Sequence, residues 1–251
     1  MDLRQYIPFP ELMSCASILC IQPHPDDNEV GAGATIAKLA GAGCDITYLT
    51  ATDGSMGTLD PGVSKESLIR TRKAETLAAA DCLGVNRLIF LDYPDGGPYD
   101  EREMCRRIAT AIREIRPEFV MAPDPFLPYE AHPDHRKTGM AAAAACLFSQ
   151  FPHFANYEEN TPAQNIWGVK GVAFYNTASP NTYIETDDTL EQKFHALALH
   201  QSQFPESEMQ FMRQYLTLKA AEYGQKINHT YAEAFKVLPP LLLHVNVDID
   251  V

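Results

Sequence analysis

Short runs of apolar residues alternate with longer amphipathic stretches through the first part of the chain. Four of the short runs, at residues 18–21, 45–50, 87–91 and 119–122, are rich in aliphatic and β-branched side chains. Their length and composition predict strands that are buried on both faces of a sheet.

Each predicted strand is followed by a stretch with the spacing of a helix. The predicted helices are residues 29–39, 65–83, 101–116 and 136–148. In the third of these, Met104, Ile108 and Ile112 fall on one face of the helix. Gly84 after the second helix and Pro117 after the third are typical helix stops.

Strands that alternate with helices predict a mainly parallel sheet with helices on both faces, a Rossmann-like three-layer α/β/α fold. After residue 151 the pattern weakens to a strand-like run at 169–175 and helices at 190–200 and 206–223. These later elements are predicted without a clear place in the sheet.

We expect residues 1–251 to form a single domain. The sequence shows no internal repeat, low-complexity tract or clear linker. Its core is expected at residues 17–150, with residues 151–251 as a C-terminal extension packed on that core.

The overall charge excludes some classes of partner. The chain has 33 acidic and 20 basic residues and a formal charge of −13. Nucleic acids and anionic membranes are bound by basic surfaces, so neither is expected as a partner. No apolar stretch approaches the ~18 residues of a membrane span, and no signal-peptide pattern is present. The six cysteines are scattered, so we expect reduced thiols in a cytoplasmic protein.

Ligands of parallel sheets bind in the loops that follow the carboxyl ends of the strands. In this chain those loops are residues 23–28, 51–57, 92–97 and 123–135, all rich in Asp, His, Gly and Pro. The first loop contains the sequence His-Pro-Asp-Asp, and the last contains His-Pro-Asp-His. One such segment is a common turn, but two at ligand-facing loops predict a metal site.

The two segments supply the donors that a divalent metal ion prefers. A catalytic zinc ion takes three nitrogen or oxygen ligands from the protein and keeps one position for water. His24, Asp27 and His135 could form this set, which would leave Asp26 and His132 for acid–base chemistry. The same three ligands would serve a non-haem iron enzyme, although such an enzyme needs no spare base beside the metal.

Two nearby features have alternative interpretations. The carboxylate of Asp134 would fix the tautomer of an imidazole, or it would cap the helix that begins at Arg136. Gly31 and Gly33 are spaced as in a dinucleotide-binding loop, but Ile36 stands where the third glycine belongs. Packing of the glycines against the sheet is therefore the favoured explanation, and a redox enzyme is not expected.

The two histidine segments resemble the signatures of the LmbE-like, or PIG-L, family of zinc-dependent N-deacetylases. Asn28 separates Asp27 from Glu29, where the family signature usually places the glutamate directly after the aspartates. Other segments share the resemblance: residues 53–58, Arg72 with Glu75, residues 83–85, residues 93–96, Lys193, residues 200–203 and residues 231–235. Residues 122–139 are most similar to the diacetylchitobiose deacetylase branch.

The resemblance implies the LmbE-like deacetylase fold and a role for each residue of the two segments. His24, Asp27 and His135 would bind zinc, or Fe²⁺ or another divalent ion. Asp26 would be the general base for a metal-activated water, and His132 would stabilise the oxyanion. The reaction implied is removal of the acetyl group from N-acetylglucosamine, diacetylchitobiose or a related glycoside, with N-deacetylation of a non-sugar amide as the alternative.

Substrate-binding residues are expected at three positions. The resemblance implies that Arg72 reaches substrate hydroxyls, with a surface pair between Arg72 and Glu75 as the alternative. Asp53 and Asp95 each precede a glycine beside the predicted site, so each either binds a hydroxyl or only forms a turn. The role of Tyr129 is open, and Trp167 is expected in the core rather than under a sugar ring.

The remaining histidines are expected to be structural or on the surface. They are His153, His195, His229 and His244. The resemblance adds one exception, because enzymes of the diacetylchitobiose branch assemble as hexamers. A homo-oligomer is therefore expected, in which a tail residue such as His244 would complete the pocket of a neighbouring subunit.

Overall fold

A seven-stranded β-sheet forms the centre of the computed structural model, which describes residues 7–159 and 161–245. The strands are β1 (Ser17–Gln22), β2 (Asp45–Thr52), β3 (Arg87–Tyr93), β4 (Phe119–Pro123), β5 (Gly171–Tyr175), β6 (Thr182–Glu185) and β7 (Ala232–Leu238). Their order across the sheet is β3-β2-β1-β4-β5-β7-β6. The first five strands are parallel, and β7 is antiparallel to both of its neighbours.

Six α-helices lie between the strands in the described part of the chain. They are α1 (Asp27–Gly41), α2 (Lys65–Leu83), α3 (Glu101–Ile115), α4 (Pro133–Phe148), α5 (Leu190–Ala198) and α6 (Glu206–Gly224). The predicted α/β architecture with a mainly parallel sheet is therefore confirmed.

Successive side chains of the strands point to opposite faces of the sheet and build two cores. On β1, Leu19 and Ile21 pack with α3 and α4, whereas Ile18 and Cys20 pack with α1, α2 and α5. All four side chains are fully buried. This double covering is the reason why the strands are continuously apolar in sequence. Within the described residues, no helix is long and apolar enough to cross a membrane.

Two helices begin earlier than the sequence predicts. The first helix starts at Asp27 rather than residue 29, and α4 starts at Pro133 rather than residue 136. Proline is favoured in the first turn of a helix because its missing N–H would have no partner there. Both differences carry residues of the histidine segments into helical first turns.

The last strand also holds α1 in place. The carboxylate of Glu233 on β7 accepts hydrogen bonds from the backbone N–H groups of Ala34 and Thr35, at 3.3 and 2.7 Å. Lys193 on α5 donates to the same carboxylate at 2.6 Å, and both charged side chains are buried. The sequence pattern predicts neither β7 nor β6, so this connection is seen only in the structure.

Candidate active site

The candidate site lies where the loops after β1 and β4 meet. The two strands are parallel neighbours, and their helices pass to opposite faces of the sheet, α1 to one and α4 to the other. At such a point an α/β sheet opens a crevice at the carboxyl ends of its strands. The fold therefore brings the two histidine segments together.

Asp26 stands directly before α1 with a φ of 126°. Residues other than glycine rarely adopt this backbone conformation, and it persists only where surrounding contacts hold it. Nη2 of Arg72 donates to Oδ2 of Asp26 at 3.1 Å and to the carbonyl oxygen of Pro25 at 2.9 Å. Burial raises the pKa of Asp26 to about 7, against the lowering effect of Arg72. A carboxyl group with this pKa is suited to proton transfer near neutral pH.

His24, Asp27 and His135 bring two ring nitrogens and a carboxylate together. Nδ1 of His24 lies 3.2 Å from Oδ2 of Asp27, and Nε2 of His135 lies 3.4 Å from Oδ1 of the same carboxylate. One ligand atom from each residue lies within 4.8 Å of the others. A donor set of two nitrogens and one oxygen suits zinc or ferrous iron.

The far nitrogen of each of these histidines faces a carboxylate. Nε2 of His24 lies 3.2 Å from Asp95 and 3.4 Å from Asp134. Nδ1 of His135 lies 3.2 Å from Glu130. In metal centres such carboxylates keep the proton on the far nitrogen and turn the lone pair of the near nitrogen toward the ion. The hydrogen bonds of these histidines therefore suit the binding of a divalent cation.

The charges around His24 favour a cation at this position. Burial lowers the pKa of His24, but hydrogen bonds to three carboxylates outweigh it and raise the pKa to about 12. Burial would raise the pKa of Asp27, but the hydrogen bond from His24 and the charge of His135 lower it to about 2. The carboxylates that face His24 therefore favour a positive charge at this position, which a bound cation would supply.

His132 occupies the cap of α4, and its side chain is exposed. Its Nδ1 accepts a hydrogen bond from the backbone N–H of Asp134 at 3.3 Å, so the neutral ring carries its proton on Nε2. The ring centroid lies 4.5 Å from that of His24. Burial and the charge of His24 lower the pKa of His132. The neutral ring can thus present an N–H donor beside the candidate metal ligands.

Asp134 is fully buried and does not cap the helix, so that interpretation is wrong. Its carboxylate accepts hydrogen bonds from the Tyr99 hydroxyl at 2.7 Å and the Gly96 N–H at 2.8 Å. Burial would raise the pKa of Asp134, but the hydrogen bonds from His24, Tyr99 and Gly96 hold it well below its usual range. The contact with His24 agrees with the alternative interpretation of Asp134 as a partner of an imidazole.

Arg72 is buried rather than open to solvent. Besides Asp26 and Pro25, it donates from Nη1 to the carbonyl oxygen of Gly54 at 3.0 Å. Glu75 accepts hydrogen bonds from the N–H and the hydroxyl of Ser202, so the alternative of a surface pair with Arg72 is wrong. The described contacts of Arg72 join the loop after β1 to the loop after β2.

The two aspartates of the side loops differ in exposure. Asp53 is partly exposed, and its Oδ1 accepts hydrogen bonds from the N–H groups of Ser55 and Asp95 at 2.9 and 3.1 Å. Asp95 is buried, with one oxygen facing His24 and the other accepting from the N–H of Met56 at 3.1 Å. Binding of a sugar hydroxyl by either residue stays a prediction. The contact of Asp95 with His24 indicates that Asp95 also orients this imidazole.

Several other sequence candidates lie away from these ligands or at the rim. Tyr129 is fully exposed with a φ of 65°. Trp167 is partly buried against a hydrophobic core and donates to the carbonyl oxygen of Pro117, as expected for a core residue. The histidines expected at the surface are exposed: His153, His195, His229 and His244. The assignment of His244 to a neighbouring subunit stays a prediction.

The sequence pattern does not reveal the contacts of three charged residues near the site. Glu130 accepts a hydrogen bond from the His132 N–H at 2.7 Å and also faces His135, and its position two residues before His132 gives no sign of the second contact. Glu29 and His200 are fully buried, with 3.7 Å between a carboxylate oxygen and Nε2. Burial lowers the pKa of His200, but Glu29 outweighs it and raises the pKa.

Comparison with known proteins places these residues in context. The family model for PIG-L, GlcNAc-PI de-N-acetylase, matches residues 19–146, which include both histidine segments. The diacetylchitobiose deacetylase of Thermococcus kodakarensis is 41% identical over 228 residues, 91% of this chain and 85% of that protein.

Solved structures give the same similarity. An N,N'-diacetylchitobiose deacetylase from Pyrococcus horikoshii, complexed with an inhibitor, matches with a TM-score of 0.92 and 37% identity, over 99% of this chain and 94% of that one. GalB, a 4-carboxy-2-hydroxymuconate hydratase from Pseudomonas putida, matches with a TM-score of 0.74 and 21% identity, over 93% of this chain and 99% of that one. The second likeness shows the fold alone, since one fold hosts different reactions.

Proposed function

Since the chain belongs to the PIG-L family of de-N-acetylases, we propose that it is a metal-dependent amidohydrolase that removes the acetyl group from N-acetylglucosaminyl substrates. The observation that carries the proposal is the group His24, Asp27 and His135 with Asp26 directly beside it. The similarity to diacetylchitobiose deacetylases favours N-acetylglucosamine, its dimer or a related glycoside as the substrate.

Zinc is the metal we propose, held by His24, Asp27 and His135. Two nitrogens and one oxygen suit zinc, and the carboxylate partners of both rings set the tautomers that binding requires. Bound zinc would polarise the acetamide carbonyl and make a water molecule more acidic. Asp95, Asp134 and Glu130 position the histidines.

Asp26 is proposed as the general base. Its carboxylate accepts a proton from the attacking water, and its position is fixed by the hydrogen bond from Arg72. A buried carboxyl group adjacent to a metal ligand combines the required reach with a pKa near neutrality. In this proposal Arg72 holds Asp26. Binding of substrate hydroxyls by Arg72, Asp53 and Asp95 stays a prediction.

His132 is proposed to stabilise the charge that develops on the carbonyl oxygen. Nδ1 accepts the hydrogen bond that begins α4, so the Nε2 proton is available as a donor to the oxyanion. The amine then leaves after it receives a proton, which Asp26 or His132 supplies. A cytoplasmic location and a homo-oligomer, with the hexamer that the resemblance implies, stay predictions beside this proposal.

Acetate release separates the proposed substrates from their alternative. We expect the zinc-loaded protein to release acetate from N-acetylglucosamine or diacetylchitobiose, and much more slowly from N-acetyl amides without a sugar. Enzymatic quantification of acetate checks this, with heat-treated protein as the control. Release from non-sugar amides alone would contradict the substrate assignment and leave the hydrolytic mechanism standing. A dependence on O₂ would instead favour the iron enzyme.

Metal binding is expected to release a proton from His24. In the metal-free protein this ring is protonated, because its pKa is raised to about 12, and Nδ1 must be deprotonated to bind an ion. The affinity for zinc should therefore rise by about tenfold per pH unit near pH 8. Titration calorimetry in two buffers of different ionisation enthalpy measures the proton directly. Identical heats in both buffers would show that His24 is not the group displaced.

A further inference from the structure

Two cysteines contact each other at the amino-terminal ends of β1 and β2, at the end of the sheet opposite the candidate site. Cys15 precedes β1 and Cys44 precedes β2, and these strands run side by side with Ser17 opposite Asp45. The two Sγ atoms lie 3.7 Å apart. The carboxyl ends of the same strands lead to the histidine segments, so the thiols lie at the far ends of strands that support the site.

This pair differs from the other cysteines of the chain in both contact and exposure. Cys15 and Cys44 keep 7% and 6% of their surface exposed, whereas Cys20 and Cys146 are fully buried. Cys82 is more exposed, but no sulfur contact is found for it in residues 7–159 and 161–245. Cys15 and Cys44 are both buried, and within the described residues they are the cysteines whose sulfur atoms contact each other.

We propose that Cys15 and Cys44 are a dithiol that hydrogen peroxide converts into an intramolecular disulfide. The thiolate of either cysteine attacks one peroxide oxygen, the O–O bond breaks, and a sulfenic acid and hydroxide form, the latter leaving as water. The sulfur of the other cysteine then attacks the sulfenic sulfur, loses its proton and expels a second water. Two thiols are oxidised and one peroxide is reduced to two waters.

Either thiol can react first, because the hydrogen bond between the two sulfurs can be donated by either one. Thiolate is the reactive form toward peroxide, and the contact between the sulfurs places the second thiol beside the first product. The sulfurs need to approach from their present 3.7 Å to about 2.05 Å to form the bond.

The disulfide would close a loop that contains β1, the first histidine segment and α1. A cross-link over a loop of this length stabilises chiefly by restricting the unfolded chain, which corresponds to a rise of about 5–10 °C in the midpoint of thermal unfolding. The catalytic groups lie at the other end of the strands, so the rate of the proposed reaction is expected to stay within about twofold.

The test treats the folded, zinc-loaded protein with hydrogen peroxide, followed by catalase. We expect two of the six thiols to disappear with the loss of two hydrogen atoms in the intact mass, and dithiothreitol to restore both. Peptide mapping should find Cys15 joined to Cys44. The Cys82→Ala variant should behave in the same way, whereas Cys15→Ala and Cys44→Ala should give no intramolecular disulfide and no rise in the unfolding midpoint.

Three outcomes would overturn the proposal. One is oxidation of Cys82 to a sulfenic acid while Cys15 and Cys44 both remain thiols, since the oxidant has then reached the protein without producing the bond. A disulfide that involves any other cysteine is the second. Persistence of the disulfide in either single variant of the pair is the third. Since peptide mapping needs no activity, the result is independent of the proposed deacetylase function.

Discussion

The Asp26→Asn variant is expected to lose about 10²–10⁴-fold in kcat/KM for deacetylation while it still binds zinc. Asparagine has nearly the shape of aspartate and tolerates a positive φ, so the backbone at 126° can be kept. Its amide cannot accept a proton from water. The variant therefore removes the base and leaves His24, Asp27 and His135 in place.

Zinc content, measured on the purified variant by atomic emission, distinguishes a missing base from a missing metal. The matched control is Asp60→Asn, which removes one exposed charge from the loop after β2 and leaves Asp26 untouched. We expect that control to retain its zinc and to lose far less activity. Near-normal turnover by Asp26→Asn with zinc bound would show that another group takes the proton.

The His135→Ala variant is expected to lose both zinc and activity. His135 contributes one of three proposed ligands, and its Nε2 lies beside the Asp27 carboxylate. Loss of a residue that only positions a ligand typically weakens metal binding by about 10–100-fold, so loss of the ligand itself should exceed that range. Zinc affinity measured by competition with a chromophoric chelator gives the number.

The chain provides graded controls for this experiment. Glu130→Gln removes the carboxylate behind His135 and should fall between the wild type and His135→Ala in zinc affinity. His229→Ala removes an exposed histidine that lies 3.4 Å from Asp187, a similar pairing away from the site. It should leave zinc affinity unchanged. Full zinc retention by His135→Ala would remove this residue from the ligand set.

Local patterns were sufficient to predict most of the sheet. The buried strands are continuously apolar, as β1 shows with Ile18, Leu19 and Ile21, and proline or glycine marks the ends of the helices between them. The histidine segments were also predictable as neighbours, because parallel strands present their carboxyl ends on one edge. Sequence patterns therefore predicted both the fold class and the meeting of His24, Asp27 and His135.

Features that depend on contacts between distant segments were not predictable. Strand β7 reads as alternating small and charged residues, and the burial of Glu233 makes sense only beside Lys193 and the N–H groups of α1. In the same way, Asp95 looks like an ordinary turn residue until the loop after β3 turns it toward His24. Side-chain pairing across loops is decided by tertiary structure, which single-sequence patterns do not contain.

The hydrogen bonds between Glu233 and α1 limit how far this enzyme can be shortened. All five proposed ligands and acid–base groups lie within the matched span of residues 19–146, together with Glu130. A chain trimmed to that span would lack β5, the neighbour of β4, and would expose an unpaired sheet edge next to the site. It would also lose the carboxylate that binds the middle of α1. A shortened chain that keeps the site intact therefore requires residues as far as Leu238, the end of β7.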